Sequence, residues 1–177
     1  MYEERDFEQR QKFQEELSKI PKEKIIWMDE AGIEEILERE YGKAPKGERV
    51  IGEITGKRVP RTTIMAGYRN KKMIAPLYFK GTTVKEVVDY WCEKILKEEI
   101  NEGDVVVMDN ATFHKYSKAE SIIESLGGRV IWQPKYSPDL NKIEPQWANL
   151  KNGIRSNQDE EKSFYEKLDL QIIKMCT

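Results

Sequence analysis

The sequence predicts an α/β fold, with elements in the order strand, strand, strand, helix, strand, helix, strand, helix. Three observations predict it. Short apolar runs are typical of buried strands, two of them flank a polar turn as in a hairpin, and apolar residues recur at helical spacing between the later runs. A length of 177 residues with 38% hydrophobic side chains fits one packed domain rather than a disordered chain.

The first half of the chain predicts one helix and three strands. Residues 4–20 have a weakly amphipathic helical pattern, and we interpret this segment as a linker helix. The run IIWMD at 25–29 is short and apolar, as in a buried strand. RTTIMAGY at 61–68 and MIAPLYF at 73–79 then predict an antiparallel hairpin, in which Pro76 indicates a bulge or an edge position.

The second half alternates helices with strands. Apolar residues recur at helical spacing from Thr82 to about residue 101, and Thr83 with Glu86 matches a capping box. Ser117 with Glu120 matches a second one. After the helix that begins at Thr82, a strand is expected at 104–110 and a helix at 117–126. A further strand is expected at 129–134, and the last helix begins at Glu144.

Several classes of protein are excluded by composition. No apolar stretch reaches the roughly 18 to 20 residues that span a bilayer, and the N-terminus does not resemble a secretory signal. We therefore expect a cytoplasmic protein without a membrane partner. Cys92 and Cys176 lie far apart and His114 is the only histidine, which argues against a disulfide framework, a zinc finger and a Ser-His-Asp triad. In an enzyme of this composition, carboxylates are the expected catalytic groups.

Charge is distributed unevenly along the chain. The net charge is −2, which by itself does not indicate a nucleic-acid-binding protein. Residues 41–80, however, hold ten basic and two acidic side chains. Their most polar part, 41–61, is rich in Gly, Lys and Arg and predicts a long loop or a loose hairpin between the first two strands. A solvated loop without a ligand and a functional loop both fit this pattern.

Three carboxylates could form a metal site. Asp29 and Asp109 each stand at the end of an apolar run, and ligands gather at the carboxyl ends of parallel strands. Glu144 lies at the start of the last helix and could reach the same edge. Oxygen donors without nitrogen or sulfur favour Mg²⁺ or Mn²⁺. Any one of these acids could equally be a surface residue, and three other acids in the same neighbourhoods are alternatives: Glu30, Asp104 and Asp139.

Four motifs carry a resemblance to a known family. They are WMDEAG (27–32), YGKAPKGER (41–49), VVVMDNATFHK (105–115) and PKYSPDLNKIEPQWANLK (134–151). In this order they resemble the catalytic core of DDE transposases of the mariner-like superfamily, specifically its bacterial insertion-sequence branch. The likeness covers about residues 22–155, and the DNA-x-x-H block followed by YSPDLN-x-IE is its most specific part.

The resemblance implies a ribonuclease H-like fold with a mixed five-stranded sheet flanked by helices. It implies Mg²⁺- or Mn²⁺-dependent cleavage at transposon ends by two ions, and transfer of the freed 3′-hydroxyl into target DNA. Asp29 would bridge both ions, Asp109 would bind one and Glu144 the other. The implied partners are terminal inverted repeats, target DNA and a second copy of the chain in a homodimer. A catalytically silent relic and a nuclease of the same fold remain as alternatives.

Two departures from the family pattern concern Glu144. Lys142 stands where the family commonly has proline, and Pro145 follows Glu144 directly. Because proline fits best in a first helical turn, we expect Glu144 at the helix start rather than inside it. Lys151 and Arg155 share a helical face with Glu144 and could contact the DNA backbone, or they could be solvated cations.

The remaining predictions concern His114, the basic loop and the domain limits. His114 resembles the histidine of the family's block, and a structural role and a contact to the substrate phosphate both remain open. The loop 41–61 occupies the place of the family's dimerisation loop, so Lys57, Arg58 and Arg61 are expected to bind DNA or a partner subunit. The expected organisation is a linker helix, a catalytic domain and a helical tail, at 1–21, 22–155 and 156–177.

Overall fold

The computed structural model describes residues 6–35, 45–47, 60–111, 114 and 117–177. Strands are β1 (Ile25–Glu34), β2 (Arg61–Arg69), β3 (Lys72–Lys80), β4 (Val105–Met108) and β5 (Arg129–Trp132). Helices are α1 (Phe7–Ser18), α2 (Lys85–Tyr90), α3 (Ala119–Ser125), α4 (Glu144–Ser156) and α5 (Phe164–Cys176). The chain continues from α2 as π-helix and then 3-10 helix, at Trp91–Ile95 and Leu96–Glu98.

The five strands form one mixed sheet in the order β3-β2-β1-β4-β5. The first three strands are antiparallel neighbours, whereas β4 runs parallel to both β1 and β5. Helices α4 and α5 pack over β1 to β3 on one face, and α2 and α3 pack on the other. This arrangement confirms the predicted sheet flanked by helices.

Strand β1 is longer than the sequence predicts. It was expected to end at Asp29 but continues to Glu34, so Asp29 lies within the strand. The reason is that β2 pairs with β1 from Trp27 to Glu34, whereas β4 pairs only with Ile25, Ile26 and Trp27. Asp29 therefore lies just beyond the parallel part of the strand, at the sheet edge where ligands gather.

The hairpin of β2 and β3 agrees with its prediction. Asn70 and Lys71 both have positive φ, at 52° and 66°, as a two-residue hairpin turn of the primed type requires. Ala75 and Pro76 together oppose a single residue of β2 and so form a bulge, where φ of Ala75 is 49°. Because β3 is also an edge strand, Pro76 lies both in a bulge and at the edge of the sheet, which were the two positions predicted for it.

Both predicted capping boxes are wrong. Helices α2 and α3 begin with Val84 and Lys118 as N-caps, and neither makes a side-chain cap. Each helix starts one residue later than the box requires, and the N–H of Lys118 instead donates to the Asp89 carboxylate at 2.6 Å. A capping box is present at α5, between Ser163 and Glu166.

The capping box of α5 gives a stability prediction. Ser163→Ala removes the hydroxyl that accepts from Glu166 N–H, and we expect a loss of about 1 kcal/mol in the free energy of unfolding. Chemical denaturation would measure it. The control is Ser121→Ala, which removes a hydroxyl that donates to the Lys118 carbonyl at 2.8 Å and caps no N–H among the described residues. An equal loss in both variants would contradict the capping role.

Helix α1 packs against the sheet. Its Phe13 is 5% exposed and contacts a cluster on β1, β4 and β5 that includes Ile25, Val105 and Val107. The helix that the sequence predicts as a linker is thus part of the packed body here, and the three-part domain division stays a prediction. Within the described segments, no helix is long and apolar enough to cross a membrane.

Candidate active site

The three carboxylates predicted from the sequence come together around one cavity. Asp29 lies in β1, Asp109 directly follows β4 and Glu144 is the first residue of α4. All three line a cavity of about 410 Å³, together with Asn141 and the segment from Gln133 to Pro138. The sheet register explains the pairing of the two aspartates, because Trp27 stands beside Val107 and each aspartate follows two residues later.

The turn before α4 brings Glu144 to this cavity. Asn141 donates its side-chain amide to the Met28 carbonyl at 3.2 Å and accepts from the N–H of Ile143 at 3.3 Å. Ile143 is fully buried. Asn141 therefore fixes the start of α4 against β1. As expected, Glu144 stands at the helix start, with Pro145 in the first turn, where its missing N–H costs no helical hydrogen bond.

The carboxylate of Asp29 is held by an indole. Trp147 Nε1 donates to Asp29 Oδ2 at 3.1 Å. Burial raises the pKa of Asp29 to about 7, and the charges of Glu30 and Glu144 add to this rise. The hydrogen bonds from Trp147 and from the backbone N–H of Glu30 act in the opposite direction. Asp29 is thus a crowded carboxylate whose charge a divalent cation would stabilise.

The carboxylate of Asp109 is fixed through one of its two oxygens. Oδ1 accepts from the N–H of Ala111 at 3.0 Å and lies 2.6 Å from His114 Nδ1. Burial raises the pKa of Asp109, but these hydrogen bonds and the His114 charge outweigh it and hold the pKa below its ordinary value. Oδ2 makes no hydrogen bond within the described part of the chain, so Asp109 offers one oxygen to the cavity.

His114 bridges two carboxylates beneath the cavity. Its side chain is 0% exposed, and Nε2 lies 2.9 Å from Oε1 of Glu30 while Nδ1 faces Asp109. Burial lowers the pKa of His114, but the two carboxylates raise it by more than burial lowers it. The resulting pKa is about 9, above the ordinary 6.5. Of the two roles that the sequence leaves open, this buried position favours the structural one. A contact with substrate phosphate would require His114 to leave both partners.

Glu144 is the most exposed of the three acids. Burial raises its pKa, as does the charge of Asp109, while Lys151 lowers it. Lys151 therefore lies near Glu144 on α4, as the helical spacing predicts. Arg155 is eleven residues further along the helix, about 16 Å away at the usual rise, and does not line the cavity. DNA contact by either cation stays a prediction.

A second cavity adjoins the first at the aspartates. It has a volume of about 620 Å³ and is lined by Asp29, Asp109 and Arg61, among others. The guanidinium of Arg61 lies over Gly32, where a Cβ would come within 1.7 Å of its Nε. Arg61 is therefore near the carboxylates, as a DNA contact would require. Lys57, Arg58 and most of the loop 41–61 lie outside the described residues.

The carboxylate oxygens around the cavity suit a hard divalent cation, although the three side chains are not close enough to one another to coordinate a single ion. In the described ranges, no three His, Cys, Asp or Glu side chains are close enough to hold a metal ion. The three carboxylates instead surround a shared cavity, and each of the two raised pKa values has a neighbouring carboxylate among its causes. Carboxylates that repel one another, with no nitrogen or sulfur donor among them, form a site whose negative charge Mg²⁺ or Mn²⁺ would neutralise.

The other acids near these strands have partners of their own. Asp104 is 1% exposed and bonds Arg69 at 2.7 Å, while Asp139 bonds Arg10 at 2.7 Å. Glu30 faces His114 on the opposite side of β1 from Asp29. Sequence reasoning missed the contacts of Glu30, Trp147 and Asn141. The helical spacing assigned Trp147 to the core, and no sequence signal shows where its N–H points.

Trp147→Phe tests the indole contact. Phe keeps a ring in the core but loses the donor to Asp29, and we expect Mn²⁺ affinity to fall about tenfold, as for other groups that orient a metal ligand. Isothermal titration would measure it. Trp91→Phe is the matched control, because the Trp91 indole donates to the Ala75 carbonyl at 2.6 Å in the core on the opposite face of the sheet from Trp147. Equal losses of affinity would contradict the orienting role.

Asp29→Asn tests the charge crowding in metal-free protein. The folded pKa of Asp29 lies above the ordinary 3.8, so the native state binds the proton more tightly and loses stability as the pH rises from about 4 to 7. Asn carries no such charge, and we expect the variant to unfold at a higher temperature than the parent at pH 8 in EDTA. The difference should shrink at pH 5. Asp169→Asn, at an exposed acid on α5, should show no such pattern.

Comparison with known proteins supports the same fold. Residues 24–164 match the family described as DDE superfamily endonuclease. The Mos1 transposase paired-end complex with left transposon end is 17% identical, with a TM-score of 0.66 over 98% of this chain and 64% of that chain. The Mos1 strand transfer complex is 15% identical, with a TM-score of 0.69 over 100% of this chain and 63% of that chain.

The catalytic domain of Mos1 mariner transposase matches over nearly its whole length. It is 15% identical, with a TM-score of 0.59 over 100% of this chain and 96% of that chain. These likenesses confirm the predicted ribonuclease H-like fold. The chain spans less than two thirds of the length of the Mos1 chains in the two complexes. No curated protein matched the sequence.

Proposed function

The chain belongs to the DDE superfamily of endonucleases, and from this premise we propose that it is a transposase catalytic core. It would cut DNA at transposon ends and join the freed 3′-hydroxyl to target DNA. The observation that carries the proposal is the meeting of Asp29, Asp109 and Glu144 around one cavity at the carboxyl edge of the parallel strands. The likeness to Mos1 complexes supports transposition over simple nuclease activity.

Asp29, Asp109 and Glu144 would hold two Mg²⁺ or Mn²⁺ ions, Asp29 between both and the other two at one ion each. Such ions polarise a phosphodiester and activate water or a 3′-hydroxyl. Structures of Mos1 with Mn and with Mg support this choice of metals. The protein's own contribution is orientation, because Trp147 and His114 each fix one oxygen of an aspartate.

The proposed partners are DNA and a second copy of the chain. The DNA would be the terminal inverted repeats of the element and its target. Arg61 beside the carboxylates supports a phosphate contact, and Lys57, Arg58, Lys151 and Arg155 complete the proposed cationic set. The homodimer and the bacterial insertion-sequence branch are proposed from the sequence motifs, and a cytoplasmic location on nucleoid DNA is proposed from composition together with the DNA partner.

A cleavage assay tests the proposal. The full chain is incubated with duplex DNA carrying the ends of its own element, with Mg²⁺, Mn²⁺ or EDTA. We expect nicks at the element ends with either metal and none in EDTA. Cleavage without preference for the ends would indicate a general nuclease. DNA binding without any cleavage would indicate a catalytically silent relic. Either result would overturn the proposal.

A further inference from the structure

A second, largely apolar groove lies on the face of the sheet that carries α1 and α4. It has a volume of about 510 Å³ and runs between α1 and the turn before α4. Trp27 and Tyr68 contribute to its lining, and they are direct cross-strand neighbours in β1 and β2. Phe13 and Leu17 of α1 line its side. We call it the seam groove.

The seam groove exists because two helical layers leave a gap over the sheet. The cluster under α4 and α5 and the cluster under α1 are separate, and Trp27 packs at the margin of both. Trp27 and Tyr68 each remain partly exposed between them. An aromatic pair at the surface of a sheet, within an apolar groove, is a surface on which a planar group can stack.

The charges around the seam groove have one sign. Four cations and no acid of the described residues line it, although the chain as a whole carries a net charge of −2. Arg69 is neutralised by Asp104 at 2.7 Å. The exposed Lys22, Lys71 and Lys142 make no ion pair with any residue that the structure describes. The complementary ligand therefore joins an apolar, planar part to negative charge.

The shape of the seam groove favours a nucleotide over a peptide. Its volume is that of a small-ligand site rather than of a protein interface. Strands β1 and β2 are both internal to the sheet, so an extended peptide could not add to either edge. A base with its flanking phosphates matches both the aromatic lining and the separated lysines.

The seam groove also adjoins the candidate active site. Trp27 precedes Asp29 by two residues on the same face of β1, a distance of about 7 Å. Leu140 and Lys142 line the groove, while Asn141 between them lines the cavity of the carboxylates. One short segment thus forms a wall shared by both sites, and a strand held at the carboxylates could place a neighbouring nucleotide in the groove.

We propose that the seam groove binds an unpaired nucleotide of a DNA strand, with its base against the two aromatic rings and its phosphates at the three lysines. The proposal rests on the proposed function only in taking DNA as the polymer. It adds a single-strand site that is separate from the carboxylates and that holds DNA beside them.

Salt-dependent binding tests the lysines. The full chain is titrated into fluorescein-labelled oligothymidylate of about 12 nucleotides, within the usual site sizes, and anisotropy is followed at several salt concentrations. Lys22→Glu with Lys71→Glu should reduce the slope of log affinity against log salt by about 1.4, since each lost phosphate contact removes about 0.7. Lys94→Glu with Lys97→Glu is the control, with the same charge change on the helical segment after α2. A slope equal to that of the control would overturn the proposal.

Substitution of the indole tests the stacking. Trp27→Leu should weaken oligothymidylate binding roughly 5- to 160-fold, the usual contribution of one stacked base, whereas Trp27→Phe should retain most of the affinity. Binding of blunt duplex should not change in either variant. Thermal unfolding checks that both variants fold. Equal affinity of the Leu and Phe variants for the oligonucleotide would overturn the stacking role.

A competition experiment separates nucleic acid from protein as the ligand. A peptide of alternating Glu and Leu should not displace the oligonucleotide, and full displacement would overturn the proposal in favour of a protein-docking surface. The anisotropy measurements do not depend on cleavage. Failure of the cleavage assay therefore leaves the groove testable, and a failed groove leaves the carboxylate proposal standing.

Discussion

Asp109→Asn is expected to lower the rate of metal-dependent cleavage by about 10³-fold or more. Asn keeps an acceptor for Ala111 N–H but loses the negative charge of the carboxylate. That charge is shared between Oδ1, which accepts from Ala111, and Oδ2, which faces the cavity. A metal ion contributes several kcal/mol to the stabilisation of charge in the transition state, and each 1.36 kcal/mol is tenfold in rate. Single-turnover cleavage of the element ends would measure the loss.

Asp169→Asn is the control for this experiment. It is the same chemical change at an exposed acid on α5, which within the described ranges accepts only from the Tyr78 hydroxyl at 2.9 Å. We expect full cleavage by this variant and a near-native circular dichroism spectrum for both. Cleavage by the Asp109 variant within tenfold of the parent would contradict a role for this carboxylate as metal ligand.

His114→Ala is expected to cost about 3 kcal/mol in the free energy of unfolding. The substitution leaves Glu30 without its charged partner in a site that is 11% exposed, and removal of one member of such a buried pair is strongly destabilising. At about 2–4 °C per kcal/mol for a chain of this size, the unfolding temperature should fall by about 6–12 °C. Thermal unfolding at pH 6 would measure it.

The pH dependence of this loss has a defined direction. The pKa of His114 is raised from 6.5 to about 9 by its two carboxylates, so its charge stabilises the native state fully below pH 6.5. That contribution is lost as the pH rises through 9. The difference between parent and variant should therefore be larger at pH 6 than at pH 9.5. A difference below 0.5 kcal/mol at pH 6, or one that grows with pH, would contradict the bridge.

Glu30→Gln tests how much the charge of Glu30, which lies 2.9 Å from His114 Nε2, contributes to the free energy of unfolding. Gln retains an acceptor for His114 Nε2 but no charge, so its effect should be smaller than that of His114→Ala. In the double variant, the two losses should not add, because both substitutions remove the same interaction. Simple additivity would show that His114 and Glu30 contribute independently.

Local pattern was sufficient to predict the sheet. The runs at β4 and β5 are short, apolar and bounded by turn residues, and the hairpin of β2 and β3 carries its own turn. The end of β1 could not be predicted in this way. Apart from Ile33, the residues after Asp29 are polar or small, and β2, nearly thirty residues later in the chain, pairs with them as an extended strand.

The helix starts show a similar limit. Thr83 and Ser117 are suitable N-caps by sequence, yet α2 and α3 begin one residue later. At α3 the Asp89 carboxylate accepts from the N–H of Lys118 at 2.6 Å, while the Ser117 hydroxyl accepts from the N–H of Ala119 at 3.2 Å. A carboxylate of α2 thus satisfies one N–H at the start of α3, and the local sequence around Ser117 carries no signal for such a contact.

The three acids of the candidate site could be predicted from the sequence, but the side chains that hydrogen-bond to them could not. Asp29, Asp109 and Glu144 could be chosen because strand ends, helix starts and family motifs point to them. The bridge from His114 to Glu30 joins residues 84 positions apart, and the indole of Trp147 reaches across 118 positions to Asp29. No periodicity in the sequence encodes such contacts, since they depend on how β1, β4 and α4 pack.

A crystal structure with Mn²⁺ would show whether Asp29, Asp109 and Glu144 together bind divalent metal. Anomalous scattering would locate the ions in crystals of the full chain soaked in millimolar Mn²⁺. We expect Mn²⁺ bound by Asp29, with Asp109 and Glu144 completing the ligand set in the cavity that the three acids share. No Mn²⁺ at these carboxylates, or Mn²⁺ held by other residues, would contradict it.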